Sequence, residues 1–212
     1  MTSREVHVMH PPNLGWLELK LTPTEMDFLW ERIGECTDES FKPYLVGNIT
    51  ESKSVSDKDD IFWNNTLLPL CQMYAQNFAN LGSLIPIESS HPYHLQSMWV
   101  NYQQQGEFNP LHDHGGVYSF VIWMKIPTKH SEQYQNPIAA NSLSPHISNF
   151  EFVYKDINGK NQEFIYQMSP DLEGTMVFFP STLQHIVYPF FNCDEQRISI
   201  SGNVTIDTSV IL

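Results

Sequence analysis

The sequence predicts a mainly β fold, a sandwich or barrel of short strands preceded by supporting helices. Three observations carry that expectation. From Tyr93 onward, aromatic and β-branched runs recur at 95–102, 117–126, 150–155, 162–167, 174–179, 184–190 and 196–206, broken by Gly, Pro and Asn and without helical periodicity. Before Tyr93, apolar residues fall at helical spacing instead. Between them lies WVNYQQQGEFNPLHDHGGVYSFVIWMKIP (99–127), where His112-Asp113-His114 separates two flat apolar runs. Imidazoles and a carboxylate are costly to bury unless something pairs with them, so the triplet marks a site.

The elements follow in order. WLELKL (16–21) alternates apolar and polar and reads as a half-buried strand. Thr22-Pro23-Thr24-Glu25 opens a helix: Thr22 is an N-cap, Pro23 suits the first helical position, and Glu25 completes a capping box. Met26, Leu29, Trp30 and Ile33 form its apolar stripe. Residues 47–60, GNITESKSVSDKDD, read as an exposed polar loop. A second helix is expected over 59–81, with Pro69 marking a kink or a late start and Gly82 the stop. In the β region, Asn158-Gly159 predicts a hairpin turn. The polar, Pro/Ser/Asn-rich segment 128–149 is a long insertion of the kind that forms lids and binding loops. At 212 residues the chain is expected to be one domain, with 1–92 supplying the first strand and helices and 93–212 the β core.

Composition excludes several function classes. Eleven Lys and Arg against 24 Asp and Glu give a net charge of −13 and no basic patch, which argues against nucleic acid. The start, MTSREVHVMHPP, has no apolar signal core, and nothing approaches a membrane span. The odd, scattered cysteines Cys36, Cys71 and Cys193 suit a reducing cytoplasm. Cys193 lies beside Asp194 and Glu195, with no cation to activate a thiolate. An oligomer is allowed but nothing specifies one.

Three places in the β region carry polar residues that a core would not choose. On a strand, His112 and His114 share a face, and His185, in the apolar FFPSTLQHIVYPF, is a third imidazole able to close a metal site. Alone, His185 is most simply a core histidine; beside the triplet it reads as a ligand. Arg197, Ser199 and Ser201 alternate on a later strand. A buried guanidinium requires an anion, and the nearest carboxylate on that face, Glu195, sits at the strand's outer end. An incoming carboxylate, with Ser199 as an added donor, would satisfy Arg197. The residues thus point to a metal beside a carboxylate-bearing ligand. His7, His10, His91, His94, His130 and His146 lie in polar or Pro-flanked segments and are expected to be exposed, His91 and His94 within possible reach of the site.

This set resembles the Fe(II)/2-oxoglutarate-dependent oxygenases, in the branch of prolyl-hydroxylase-like enzymes of bacteria and their phages, a phage origin implying the host's cytoplasm. The resemblance spans about 95–206 and implies a double-stranded β-helix (a jelly roll, cupin-like), Fe(II) and 2-oxoglutarate as cofactors, O2 as co-substrate, and release of succinate and CO2. It implies that His112 and His185 bind iron, that Arg197 salt-bridges the distal carboxylate of 2-oxoglutarate, that Ser199 shares this contact, and that Tyr102, ten residues before His112, also touches the cofactor. It implies hydroxylation of a C–H bond, with a protein, peptide or amino-acid residue as substrate. One departure stands out. The family places Asp two residues after the first His, where this chain has His114, with Asp113 one residue earlier. Either His114 is the third ligand, or a twist at Gly115-Gly116 brings Asp113 to the metal. Two other functions stay open: a cupin-like three-His metal enzyme that uses no keto acid, and a non-catalytic β-helix binding or virion protein.

Overall fold

The computed structural model describes residues 14–37, 39–87, 90–139, 141–144 and 146–211. Ten strands run β1 (Leu17–Lys20), β2 (Glu51–Ser54), β3 (Tyr93–Gln103), β4 (Asn109–His112), β5 (Tyr118–Lys125), β6 (Phe150–Lys155), β7 (Asn161–Tyr166), β8 (Thr175–Pro180), β9 (Gln184–Val187) and β10 (Arg197–Ile206). Six form one sheet in the order β1-β8-β5-β10-β3-β2, and four form a second, β4-β9-β6-β7. Every named pair is antiparallel. The mainly β jelly roll expected from the sequence is the fold observed.

The six-stranded sheet is buried on both faces, which explains why β5 reads as an unbroken apolar run rather than alternating. Val121, Trp123, Val177 and Phe179 face the second sheet and pack against Phe150, Phe152 and Tyr166. Phe120, Ile122, Met176, Phe178 and Ile200 face the other way, onto helices α1 (Pro23–Gly34) and α2 (Leu68–Asn77). The cap of α1 is as expected: Thr22 Oγ1 accepts from the Glu25 amide at 3.3 Å, and the Glu25 carboxylate accepts from the Thr22 amide at 2.8 Å. Leu29 and Ile33 lie in the core while Trp30 stays largely outside it.

Several expectations resolve here. Pro69 is the second residue of α2, so the late start applies; the chain enters through a π-helical turn, Trp63–Leu67, whose first amides are held by Asp57. The helix stops at Asn77, and Gly82 lies in a separate 3-10 turn with its amide on the Tyr93 hydroxyl. The 47–60 segment is no free loop: β2 pairs with β3, Ser52 and Val55 are buried, and the Ser52 hydroxyl donates to Asn101 Oδ1 at 2.7 Å. The 128–149 insertion is folded against the body of the protein. It carries a one-turn helix, α3 (His130–Gln133), and Gln133 makes two 2.8 Å amide hydrogen bonds to the backbone of Phe191. His130, expected outside, is buried with Nδ1 at 3.1 Å from the Ile147 carbonyl. At the β6–β7 hairpin, Gly159 takes φ +76° as the Asn-Gly signal requires, and Asp156 accepts the Asn158 and Lys160 amides. No described helix is long and apolar enough to cross a membrane. His7 and His10 lie outside the described residues.

Candidate metal centre

β4 and β9 pair so that His112 stands directly opposite His185. Cross-strand partners put their side chains on one face, so register alone joins two imidazoles 73 positions apart in the chain. His114 arrives differently from the alternation expected. β4 ends at His112, and His114 lies past it, before a turn in which Gly116 takes φ +96°. Ser181 fixes that turn: its carbonyl accepts the His114 amide at 2.9 Å, its amide donates to Val117 O at 3.0 Å, and its hydroxyl donates to Gly116 O at 2.7 Å.

The three rings converge. Centroids lie 4.2 Å apart for His112–His185, 5.0 Å for His112–His114 and 5.0 Å for His114–His185, and the Nε2 atoms of His114 and His185 are 3.2 Å apart. Two nitrogens bound at about 2.1 Å to one ion, at right angles, sit about 3 Å apart, so this spacing fits shared coordination. Nδ1 of His112 lies 2.7 Å from Pro110 O and Nδ1 of His185 lies 3.1 Å from Leu183 O. Each Nδ1–H then donates to a carbonyl and leaves the Nε2 lone pair free, the tautomer a metal ligand needs. Burial holds all three imidazoles below their ordinary range, His114 to about 4, and the neighbouring rings push His114 and His185 further in that direction. Neutral imidazole is the ligating form. Phe150 and Phe179 flank His185 at centroid distances of 5.5 and 5.2 Å, and Trp99 sits 5.9 Å from His114. The donor set suits a divalent ion such as Fe(II) or Zn. Asp113 is exposed and contributes no atom to the cluster.

The cluster opens into a cavity of about 230 Å³. Its far wall is the inner face of β3 and β10, where Gln103 stands opposite Arg197, Asn101 opposite Ser199 and Trp99 opposite Ser201. Arg197 is 3% exposed and, among the described residues, pairs with no carboxylate. Glu195 is taken by Lys125 at 2.7 Å. The Arg197 guanidinium lies 5.0 Å from the Phe190 ring, Nη2 donates to the carbonyl and hydroxyl oxygens of Ser148 at 2.9 and 2.7 Å, and Nε has no partner. Burial pulls its pKa down to about 9, which still leaves it a cation at neutral pH.

Tyr102 requires correction. Alternation on β3 sends it to the opposite face, where it packs with Ile198 against the helix-side core, away from the cavity. Asn101 and Gln103, which the sequence reading passed over, are the β3 residues that face inward. His91 and His94 are not part of the site: His91 bonds the Val210 carbonyl and His94 stands opposite Thr205 near the other end of β3. Nor does the 128–149 insertion line the cavity; its mouth is formed by 42–49 and 109–115.

Residues 97–203, half of the chain, match a family described as "Putative 2OG-Fe(II) oxygenase". Two solved structures share the fold. An oxidoreductase of the 2OG-Fe(II) oxygenase family from Burkholderia pseudomallei is 12% identical at TM-score 0.50, the match covering 90% of this chain and 85% of that one. SnoK, a non-heme alpha ketoglutarate dependent carbocyclase from nogalamycin biosynthesis, is 8% identical at TM-score 0.53, with coverage of 92% and 80%. No curated protein matches the chain.

Proposed function

Because the chain belongs to the 2OG-Fe(II) oxygenase family, an iron- and 2-oxoglutarate-dependent enzyme, we propose that it hydroxylates a C–H bond on a side chain presented by a peptide or protein. In this reading His112, His114 and His185 hold Fe(II). Arg197 and Ser199 receive the distal carboxylate of 2-oxoglutarate, with Asn101 and Gln103 beside them. Iron, 2-oxoglutarate and O2 together supply an oxidant able to attack an unactivated C–H bond, with release of succinate and CO2. The chain's own part is to orient, to exclude water behind the aromatic wall of Phe150, Phe179 and Trp99, and to place one dicarboxylate.

The observation that carries this reading is a buried cation lacking an anion in the same small cavity as three convergent, neutral imidazoles. A guanidinium in that setting is costly unless a ligand completes it. The substrate class rests on size and on the rim. About 230 Å³ falls short of the roughly 300–1,000 Å³ of sites that swallow a whole drug-sized ligand, so a cofactor nearly fills it. The mouth carries exposed apolar side chains, Tyr44 (78%) and Val46 (65%), suited to gripping a chain from which one group projects inward.

Anaerobic reconstitution with Fe(II), then addition of 2-oxoglutarate and air, tests the class. Succinate should accumulate slowly by NMR even without substrate, and His185→Ala should abolish it. Tight metal binding with no succinate would favour the second reading, a three-His metal enzyme that needs no keto acid. The absence of a carboxylate from the metal cluster, among the described residues, is the observation on that side.

A further inference from the structure

We propose that Ser148 is a positioning residue for 2-oxoglutarate: it aims the Arg197 guanidinium at the cavity, and through it the 128–149 insertion helps set cofactor affinity. The inference rests on the reading of Arg197 as the anchor of the distal carboxylate and adds to it a residue from a segment that does not touch the cavity.

Ser148 is fully buried where the insertion returns to β6. Its φ is +66°, a left-handed backbone conformation that glycine adopts freely and serine does not. A strained serine where glycine would serve calls for a use of the hydroxyl. That use is visible. The Ser148 amide donates to the Pro189 carbonyl at 2.9 Å, which fixes the turn, and Nη2 of Arg197 gives one hydrogen to the Ser148 carbonyl and the other to its hydroxyl. The left-handed turn is what lets one residue offer both oxygens to one nitrogen. With both hydrogens of Nη2 engaged, the guanidinium cannot swing. Its remaining donors are Nε, which has no partner, and Nη1, whose contact with Gln103 Oε1 is long at 3.5 Å. Nη1 and the Ser199 hydroxyl are what an entering carboxylate meets, while Nε is enclosed by protein.

The test compares two keto acids. 2-Oxoglutarate and pyruvate present the same α-keto acid to a metal, but only the first has a distal carboxylate. Calorimetric titration of each into Mn(II)-loaded protein under argon, for wild type, Ser148→Gly, Ser148→Ala and Arg197→Met, reads the contact without turnover. Gly keeps the turn and relieves its strain, so loss of fold should not obscure that variant. Ser148→Gly should weaken 2-oxoglutarate about tenfold, the loss of one charge-assisted hydrogen bond, and leave pyruvate and Mn(II) within about twofold. Ser148→Ala should weaken 2-oxoglutarate equally while melting below Ser148→Gly. Equal weakening of both keto acids, or of neither, would reduce Ser148 to a loop residue and overturn the proposal. If Arg197→Met erases the preference for 2-oxoglutarate while Ser148→Gly keeps it, Ser148 alone is excluded. A wild type that fails to prefer 2-oxoglutarate over pyruvate overturns the anchor reading and Ser148 with it.

Discussion

His114 occupies the place where the family pattern has a carboxylate, and its Nε2 lies 3.2 Å from that of His185 while Asp113 is exposed. Asp113→Asn should therefore leave Fe(II) or Mn(II) affinity within about twofold, whereas His114→Ala should lower it on the order of a hundredfold, as removal of a ligand exceeds the 10–100-fold cost of disturbing a supporting contact. An anaerobic metal titration decides, and the reverse order would make Asp113 the ligand. The protonation of these rings also sets an acid limit. In the unfolded chain each imidazole titrates near its ordinary value of about 6.5. Folding lowers all three, His114 to about 4. Below about pH 6.5 the unfolded chain then binds protons that the folded one does not, so stability of the metal-free protein is lost as pH is lowered through that window. Its melting temperature should drop between pH 7 and 5, and His114→Ala should flatten part of the drop. A flat profile in the wild type would mean the rings are not held neutral.

At the scale of elements, β10 is the strand on which both layers depend. One face gives Arg197, Ser199 and Ser201 to the cavity, and the other gives Ile200 and Val204 to the core under the helices. Gly202 sits between them because the Phe120 ring crosses there; an added Cβ would stand 2.4 Å from that ring and 2.7 Å from the Ser97 carbonyl. Gly202→Ala should cost about 1–3 kcal/mol, measured by denaturant unfolding, through displacement of backbone and ring rather than through φ. An unchanged midpoint would show that β10 can give way. Several elements were legible in the sequence because burial was written into composition: the apolar runs of β5 and β8, the capping box of α1, the Asn-Gly turn. β2 and β4 were not. ESKS and NPLH lack apolar alternation, since what orders them is backbone pairing with β3 and β9. Tyr102, put at the cofactor by resemblance, lies on the other face, because spacing in a chain does not reveal register. Pairing of Gln103, not Tyr102, with Arg197 decides which parity looks inward.

For the molecule as a whole, the site opposes the fold. Arg197 is buried with no counter-charge among the described residues, a cost the fold bears for a ligand. Arg197→Met, similar in length and without charge, should hold or raise the melting temperature of the ligand-free protein while abolishing its preference for 2-oxoglutarate. A collapse in stability would mean that the guanidinium serves mainly as a structural strut. The candidate site was legible as a set of residue types, three imidazoles and one arginine, but its supports were not. Ser148 and Ser181 work through backbone turns that leave no mark in composition. The pairing of His112 with His185 has one more effect. β4 is a four-residue edge strand joined to its sheet by β9 alone. An ion gripped by both histidines would act as a clasp across that seam, at the rim proposed for substrate docking. Iron loss would then do more than silence the chemistry: it would let the lip of the fold fray, so that an emptied enzyme also loses the rim proposed to receive substrate.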